Sequence, residues 1–361
     1  MKTGTATLPL HGGRAPAWLF QRMVRLSRAL ATVVADEYGT LEFLTRLSDP
    51  FWFQALGCVL GFDWHSSGLT TTTCGALKEA LRADSEELGL VVAGGKGATS
   101  RKTPQEIEAQ APEFGLDAAE LARASRLAAK VDNAGVQDGY QLYHHTFIFD
   151  AEGNWCVVQQ GMNDATGFAR RYHWLSRGLE DFVSEPHAAV CGEPFGPTLN
   201  LVAGEGGENR AATADLARTP PEDVLHHLQQ AQGDLHLPAR HHVDLADVNP
   251  RRLRTVLLST YEAQAADFEA LLALPGVGAK SLRALALLAE LVHGAPPSWR
   301  DPARYSFAHG GKDGHPYPVD RAAYDRSIGI LEQAIRHAEI GQPERLAAFR
   351  RLLQIVSDTE E

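Results

Sequence analysis

Six histidine, aspartate and glutamate side chains in the first 190 residues of the chain could together bind a divalent metal ion. A bound ion of this kind can activate a water molecule to attack a phosphodiester. Asp63 and His65 are two positions apart, as two ligands on one side of an extended segment can be. The candidate ligands are Asp63, His65, His145, His173, Glu185 and His187. The pattern predicts a site for Mg²⁺ or Mn²⁺, and for each histidine the alternative is a purely structural role.

A second group of polar residues could bind and cleave a phosphodiester beside that metal. Lys96 lies within Gly94-Gly95-Lys96-Gly97, where it could hold the scissile phosphate, although the segment lacks the spacing of a P-loop. His144 and His145 are neighbours in a predicted strand, so their side chains point to opposite faces and only one can join a given site. The predicted catalytic residues are Lys96, His144, His145, Gln159 and Gln160.

A glycine-containing turn at residues 274–281 lies between two helical patterns. Glycine permits a tight turn and lets a phosphate approach the backbone, and the following helix N-terminus favours an anion. The predicted DNA-binding residues are Leu274, Gly276, Val277, Gly278, Lys280, Ser281 and Arg283. Contacts to backbone phosphate carry no base information, so the expected partner is DNA of any sequence. The alternative is a helix–helix turn without a ligand.

This turn resembles the helix-hairpin-helix of DNA glycosylases of the endonuclease III type, which read Leu-Pro-Gly-Val-Gly, any residue, then a catalytic lysine. The resemblance implies that Lys280 is that lysine and that Asp320, in Pro318-Val319-Asp320-Arg321, is the catalytic aspartate. Such a lysine attacks the sugar of a flipped-out nucleotide, and the carboxylate assists. Lys280 and Asp320 are 40 positions apart, farther than in that family, and its C-terminal cysteine cluster is missing. The alternative is that Lys280 only contacts phosphate and Asp320 caps the next helix.

Nearly the whole chain also resembles a family known as domain of unknown function 763. The matching segments begin at Thr3-Gly4-Thr5-Ala6 and Leu10-His11-Gly12-Gly13-Arg14, and the hairpin turn is the last of them. The others are His144-His145-Thr146-Phe147 and Gln159-Gln160-Gly161-Met162-Asn163. This resemblance implies a hairpin-bearing protein and leaves the activity open.

The elements that must position these residues predict an α+β fold. Residues 140–149 alternate partly in polarity and are rich in aromatic and β-branched residues, and residues 155–160 return after a turn, which is typical of a β-hairpin. From Asp223 onward the periodicity is almost entirely helical. We therefore expect an N-terminal mixed α/β domain at 1–200, with a central β-hairpin or sheet, and a Gly/Pro-rich linker or loop at 201–222. An all-α helix-hairpin-helix domain is expected at 223–361.

Composition limits the function. The net charge of −11 argues against nonspecific coating of nucleic acid but allows a local DNA contact. No apolar run is long enough to cross a bilayer, and the start of the chain lacks a secretory signal, so we expect a cytoplasmic protein without a membrane partner. The sequence favours a metal-dependent DNA nuclease of repair or recombination. A DNA glycosylase/AP lyase using Lys280 and Asp320, or a noncatalytic DNA-binding scaffold, are the alternatives.

Overall fold

A five-stranded antiparallel sheet with the order β1-β3-β4-β5-β6 lies at the centre of the fold. The computed structural model describes residues 8, 15–62, 67–83, 85–192, 197–234, 250–303 and 321–358. The strands are β1 (Leu90–Lys96), β2 (Val136–Gln137), β3 (Gln141–Asp150), β4 (Trp155–Asn163), β5 (Phe168–Leu175), β6 (Ala189–Cys191) and β7 (Leu199–Asn200). β2 and β7 pair separately as a short antiparallel ribbon.

Helices cover both faces of the sheet. The N-terminal helices are α1 (Ala17–Tyr38), α2 (Thr40–Ser48), α3 (Pro50–Leu60), α4 (Gly68–Leu81), α5 (Ser85–Leu88), α6 (Thr103–Gln110) and α7 (Ala118–Lys130). The later helices are α8 (Gly207–Ala217), α9 (Pro221–Asp234), α10 (Pro250–Ala263), α11 (Phe268–Ala273), α12 (Ala279–His293), α13 (Arg321–His337) and α14 (Gln342–Asp358). None of the helices described is both long and apolar enough to cross a lipid bilayer.

The strands contribute side chains to two separate cores, one on each face of the sheet, because successive side chains in a strand point to opposite faces. Ile148 and Val158 belong to the first core, where they pack against α1 to α4 and the buried sides of α13 and α14. Phe147 and Val157 belong to the second core, on the other face of the sheet, where they pack against α6, α7, α8, α11 and α12. The predicted β-hairpin is confirmed as β3 and β4, and their turn is closed by the Asp150 side chain, which accepts from the Asn154 amide at 2.8 Å. The α+β fold class is confirmed.

The segment predicted as a linker or loop, 201–222, is instead built into the second core. It contains α8, and the buried Asn209 side chain donates to the carbonyl oxygens of Ala286 (2.8 Å) and Ala295 (2.7 Å). Its glycines and prolines favoured a loop, but they lie at the two ends of α8. Both cores contain residues from either side of position 200, so that position does not separate two cores.

Candidate functional site

The turn between α11 and α12 exposes its backbone on the outer surface. Gly276 has a φ of 82°, in the left-handed region that glycine adopts readily. A Cβ built at Gly276 or Gly278 would meet no atom within 4 Å, so a ligand could approach the backbone at both positions. Val277, between them, is buried and anchors the turn in the second core.

The N-terminus of α12 follows this turn without a capping side chain. Gly278 is the N-cap residue, and the Leu282 amide donates to its carbonyl at 3.0 Å. The amides of the first turn have no partner within a helix and carry partial positive charge. Lys280 is exposed beside them. Among the residues predicted to bind DNA, Gly276 and Lys280 are exposed, and Gly278, Ser281 and Arg283 are partly exposed. Val277 is buried, and Leu274 packs against the second core.

Two residues that the sequence interpretation missed hold this turn in place. The Lys130 ammonium, at the end of α7, donates to the carbonyl oxygens of Val277 (2.6 Å) and Leu274 (3.1 Å). Burial lowers the pKa of Lys130. Gln137 donates to the Ala279 carbonyl at 2.8 Å and accepts from Arg283 Nε at 2.8 Å. Arg283 is thus tied to the protein rather than fully available to a phosphate.

The predicted catalytic residues separate into two clusters on opposite faces of the sheet. Register places Lys96 opposite His144 and His144 opposite Gln160, so these three share one face. His145 and Gln159 share the other face, where the His145 Nδ1 atom lies 2.8 Å from Gln159 Oε1. The prediction that the two adjacent histidines point to opposite faces of the sheet is confirmed.

The first cluster, which we call the Lys96 row, continues across the sheet to Arg171. His144 Nε2 lies 3.0 Å from the Thr146 hydroxyl, while burial, and then neighbouring His145 and Lys96, lower its pKa to about 3. Histidine 144 is therefore neutral at neutral pH. Its Nδ1 atom has no hydrogen-bond partner among the described residues, although buried polar atoms usually have one.

A β-bulge contributes to the Lys96 row. The register of β3 and β4 shifts between Leu142 and His144, which leaves Tyr143 as the extra residue. Its hydroxyl accepts from the Gln160 side-chain amide, which also donates to the Ser67 carbonyl at 2.9 Å. Bulges often redirect a side chain next to a functional site. Tyr143 was not predicted, because the extra residue is visible only once the strands are paired.

The second cluster is a buried chain of hydrogen bonds that ends on Asp132. His145 Nε2 lies 2.8 Å from the Ser125 hydroxyl. Gln159 Nε2 donates to Asp132 Oδ2 at 2.5 Å, and His187 Nε2 lies 2.5 Å from Asp132 Oδ1. Asp132 sits in a short π-helical turn, Val131–Gly135, a distortion found often at functional sites. It is fully buried and was not predicted, since its partners are distant in sequence.

The described members of the predicted metal set do not converge on one site. His145 and His173 occupy opposite faces: His173 Nδ1 lies 3.0 Å from the Leu47 carbonyl, in the first core. Glu185 forms an ion pair with Arg300 at 2.7 Å, and His187 is bound to Asp132. Asp63 and His65 lie outside the described residues, and among those described no cluster of three His, Cys, Asp or Glu side chains could hold an ion. Spacing along one strand does not give the register between strands, and that register decides whether His145 and His173 share a face.

Only one of the two residues implied by the glycosylase resemblance lies in the described part of the chain. Lys280 is exposed at the start of α12, whereas Asp320 lies outside the described residues. The geometry of that pair therefore remains a prediction from the sequence.

Taken together, the fold is an α+β protein whose exposed helical turn and central polar sheet are the features available for function. The chain belongs to the family described as "Protein of unknown function (DUF763)", whose model matches residues 4–319. No curated protein and no solved structure matches the chain.

Proposed function

We propose that the protein binds the DNA backbone through the turn at residues 274–283, without sequence specificity. The observation that carries the proposal is the exposed Gly276–Gly278 backbone leading into an α12 N-terminus that no side chain caps. A phosphate fits such a position because it accepts hydrogen bonds from free amides and is favoured by the helix dipole.

Local charge supports this proposal despite the acidic whole chain. Residues 274–283 include Lys280 and Arg283 and no acidic residue. The anchoring of the turn by Lys130 also favours binding, because a preordered loop loses less conformational freedom when its ligand arrives. Binding through phosphate alone would be strongly salt-dependent.

The test is fluorescence anisotropy with two labelled duplexes of equal length and unrelated sequence. Gly278→Asp places a negative charge at the phosphate position and should weaken binding to both by about tenfold or more, a loss of roughly 1.4 kcal/mol. Gly341→Asp, at another glycine without a left-handed φ and away from the turn, adds the same charge and should have little effect. Unchanged affinity in a folded Gly278→Asp protein would remove the turn from the DNA contact.

Metal-dependent cleavage of the bound DNA is a second candidate function. The specific observation in its favour is the Lys96 row, where an exposed lysine borders a neutral buried histidine whose Nδ1 atom has no described partner. Lys96 could neutralise the scissile phosphate and His144 could offer a nitrogen to an ion or to water. His145 and Gln159, on the opposite face, would then have a structural role.

Cleavage is tested with labelled single-stranded, duplex, branched and abasic DNA, incubated with Mn²⁺ or with EDTA. Products that require Mn²⁺ and are lost in His144→Ala, but not in the exposed His293→Ala, would support the nuclease. Borohydride added to a parallel set would trap a Schiff base, and an adduct that disappears in Lys280→Ala would support the lyase instead. Binding without any product would leave a DNA-binding scaffold.

A further inference from the structure

An open cleft of about 960 Å³ lies beside edge strand β1, between α1, α4 and the turn that follows β1. Trp18 and Arg22 of α1 form one wall, Lys78 of α4 lies along another, and Lys96 borders it at the end of β1. α1 and α4 pack on one face of the sheet, whereas the 274–283 turn packs with the helices on the other face. The cleft is therefore separate from the proposed duplex contact.

The cleft is positively charged in an otherwise acidic chain. Four of the described residues that line it are cationic, and one, Glu79, is acidic. The segment 96–102 adds Arg101 and Lys102 and contains no carboxylate. This local concentration of charge favours an anionic ligand.

Not all of these cations are available to a ligand. Lys78 is held by Glu106 at 2.6 Å and by the Gly94 carbonyl at 2.8 Å, and Arg25 pairs with Glu344. Arg22 and Lys96 have no carboxylate partner in the part of the chain that the structure describes. Lys96 lies with its ammonium 5.8 Å from the ring centre of Tyr143, and Arg22 donates to the Trp18 carbonyl at 3.3 Å. These two are the cations that an anion would meet.

An aromatic platform lies in the same cleft. Trp18 is 59% exposed, and the Arg22 guanidinium is 5.2 Å from its ring centre. A base can stack on an exposed indole, and arginine adds a cation–π interaction.

We propose that this cleft binds single-stranded nucleic acid, with a base stacked on Trp18 and backbone phosphates at Arg22 and Lys96. Cations interleaved with an exposed aromatic ring are the combination that sequence-independent single-strand sites use. The inference goes beyond duplex binding at the 274–283 turn and does not depend on it. Since the two sites use different faces of the fold, one molecule can hold a duplex and a single strand together.

The test compares a labelled oligo(dT) of about eight nucleotides, within the usual single-strand site size, with a labelled duplex. Trp18→Ala should weaken oligo(dT) binding by roughly ten- to a hundredfold, the loss of one stacked base, and leave duplex binding unchanged. Trp18→Phe, which keeps an aromatic face, should retain most of the affinity. Lys96→Gln should weaken oligo(dT) binding and reduce its salt dependence, whereas Lys280→Gln, the matched exposed lysine at the turn, should affect only the duplex.

The outcomes separate the two proposals. Oligo(dT) affinity that is absent, or unchanged in both Trp18→Ala and Lys96→Gln, would overturn the cleft proposal whatever the duplex does. Thymidine monophosphate competing as well as oligo(dT) at equal nucleotide concentration would overturn a strand as the ligand in favour of a free nucleotide. If Gly278→Asp loses duplex binding but keeps oligo(dT) binding, the turn is supported as the duplex contact. The cleft proposal is then judged from Trp18→Ala and Lys96→Gln alone.

Discussion

The Lys130 ammonium lies 2.6 Å from the carbonyl oxygen of Val277, so the last residue of α7 holds the turn between α11 and α12. We expect Lys130→Met to lower the free energy of unfolding by about 1–3 kcal/mol, because two carbonyl oxygens lose their charged donor. Duplex affinity should fall with it, since the turn is no longer held. Arg126→Met, at an exposed position of the same helix, is the control in urea unfolding and anisotropy. An unfolding free energy equal to that of the control would contradict the anchoring role.

The two glycines of the turn should respond differently to alanine, although a Cβ has room at both. Gly276→Ala should cost about 1–2 kcal/mol because its φ of 82° is unfavourable for an L-residue with a side chain. Gly278→Ala, at φ of −142°, should cost less than Gly276→Ala, because its backbone is unstrained and the stiffer unfolded chain partly offsets the lower preference of alanine for the N-cap position. Urea unfolding of the two variants measures the difference. Equal effects would mean that the turn relaxes at Gly276.

Acid should destabilise the protein through its buried histidines. Burial lowers the pKa of His144 from 6.5 to about 3, and it also lowers the pKa values of His145 and His173. Between pH 6.5 and about 3, His144 binds the proton in the unfolded chain and not in the folded one, so its contribution to stability is full above pH 6.5 and is lost as pH falls toward 3. The decline is about 1.4 kcal/mol per pH unit for each such histidine.

His144→Asn isolates one of these groups. The dependence of unfolding free energy on pH, measured in urea between pH 3 and 6.5, should become shallower by about that amount per pH unit. His293→Asn, at an exposed position, should leave the slope as it is in the parent protein. An unchanged slope in His144→Asn would show that His144 is protonated in the folded state.

The four cysteines should be inert in the folded protein. All four are buried, and burial raises the pKa of Cys74 to about 12 and also raises that of Cys156. Since the thiolate is the reactive form, a disulfide reagent at neutral pH should modify none of them before unfolding and all four afterwards. Cys74 borders the cleft beside β1, so fast labelling that is lost in Cys74→Ser would show that the cleft opens further in solution.

The sequence predicted the local parts of this fold and missed those formed by distant residues. The β3–β4 hairpin follows from alternation around a turn, and the 274–278 turn follows from its glycines, because each signal lies within a short window. Lys130, Gln137 and Asp132 could not be predicted, since their partners are far along the chain. The separation of His145 from His173 is likewise a result of strand pairing, which no spacing rule reveals.

The two C-terminal helices complete the core that the first helices begin. Leu331 of α13 and Leu352 of α14 are buried in the first core, and the Arg351 side chain donates to the Val59 carbonyl at 2.7 Å, 292 positions away. The family match ends at residue 319, before either helix begins. During synthesis on a ribosome, the apolar sides of α1 and α3 are fully covered only after α13 and α14 have been made. Such non-local closure slows folding, so a nascent chain should keep part of the first core exposed until α13 and α14 have been synthesised.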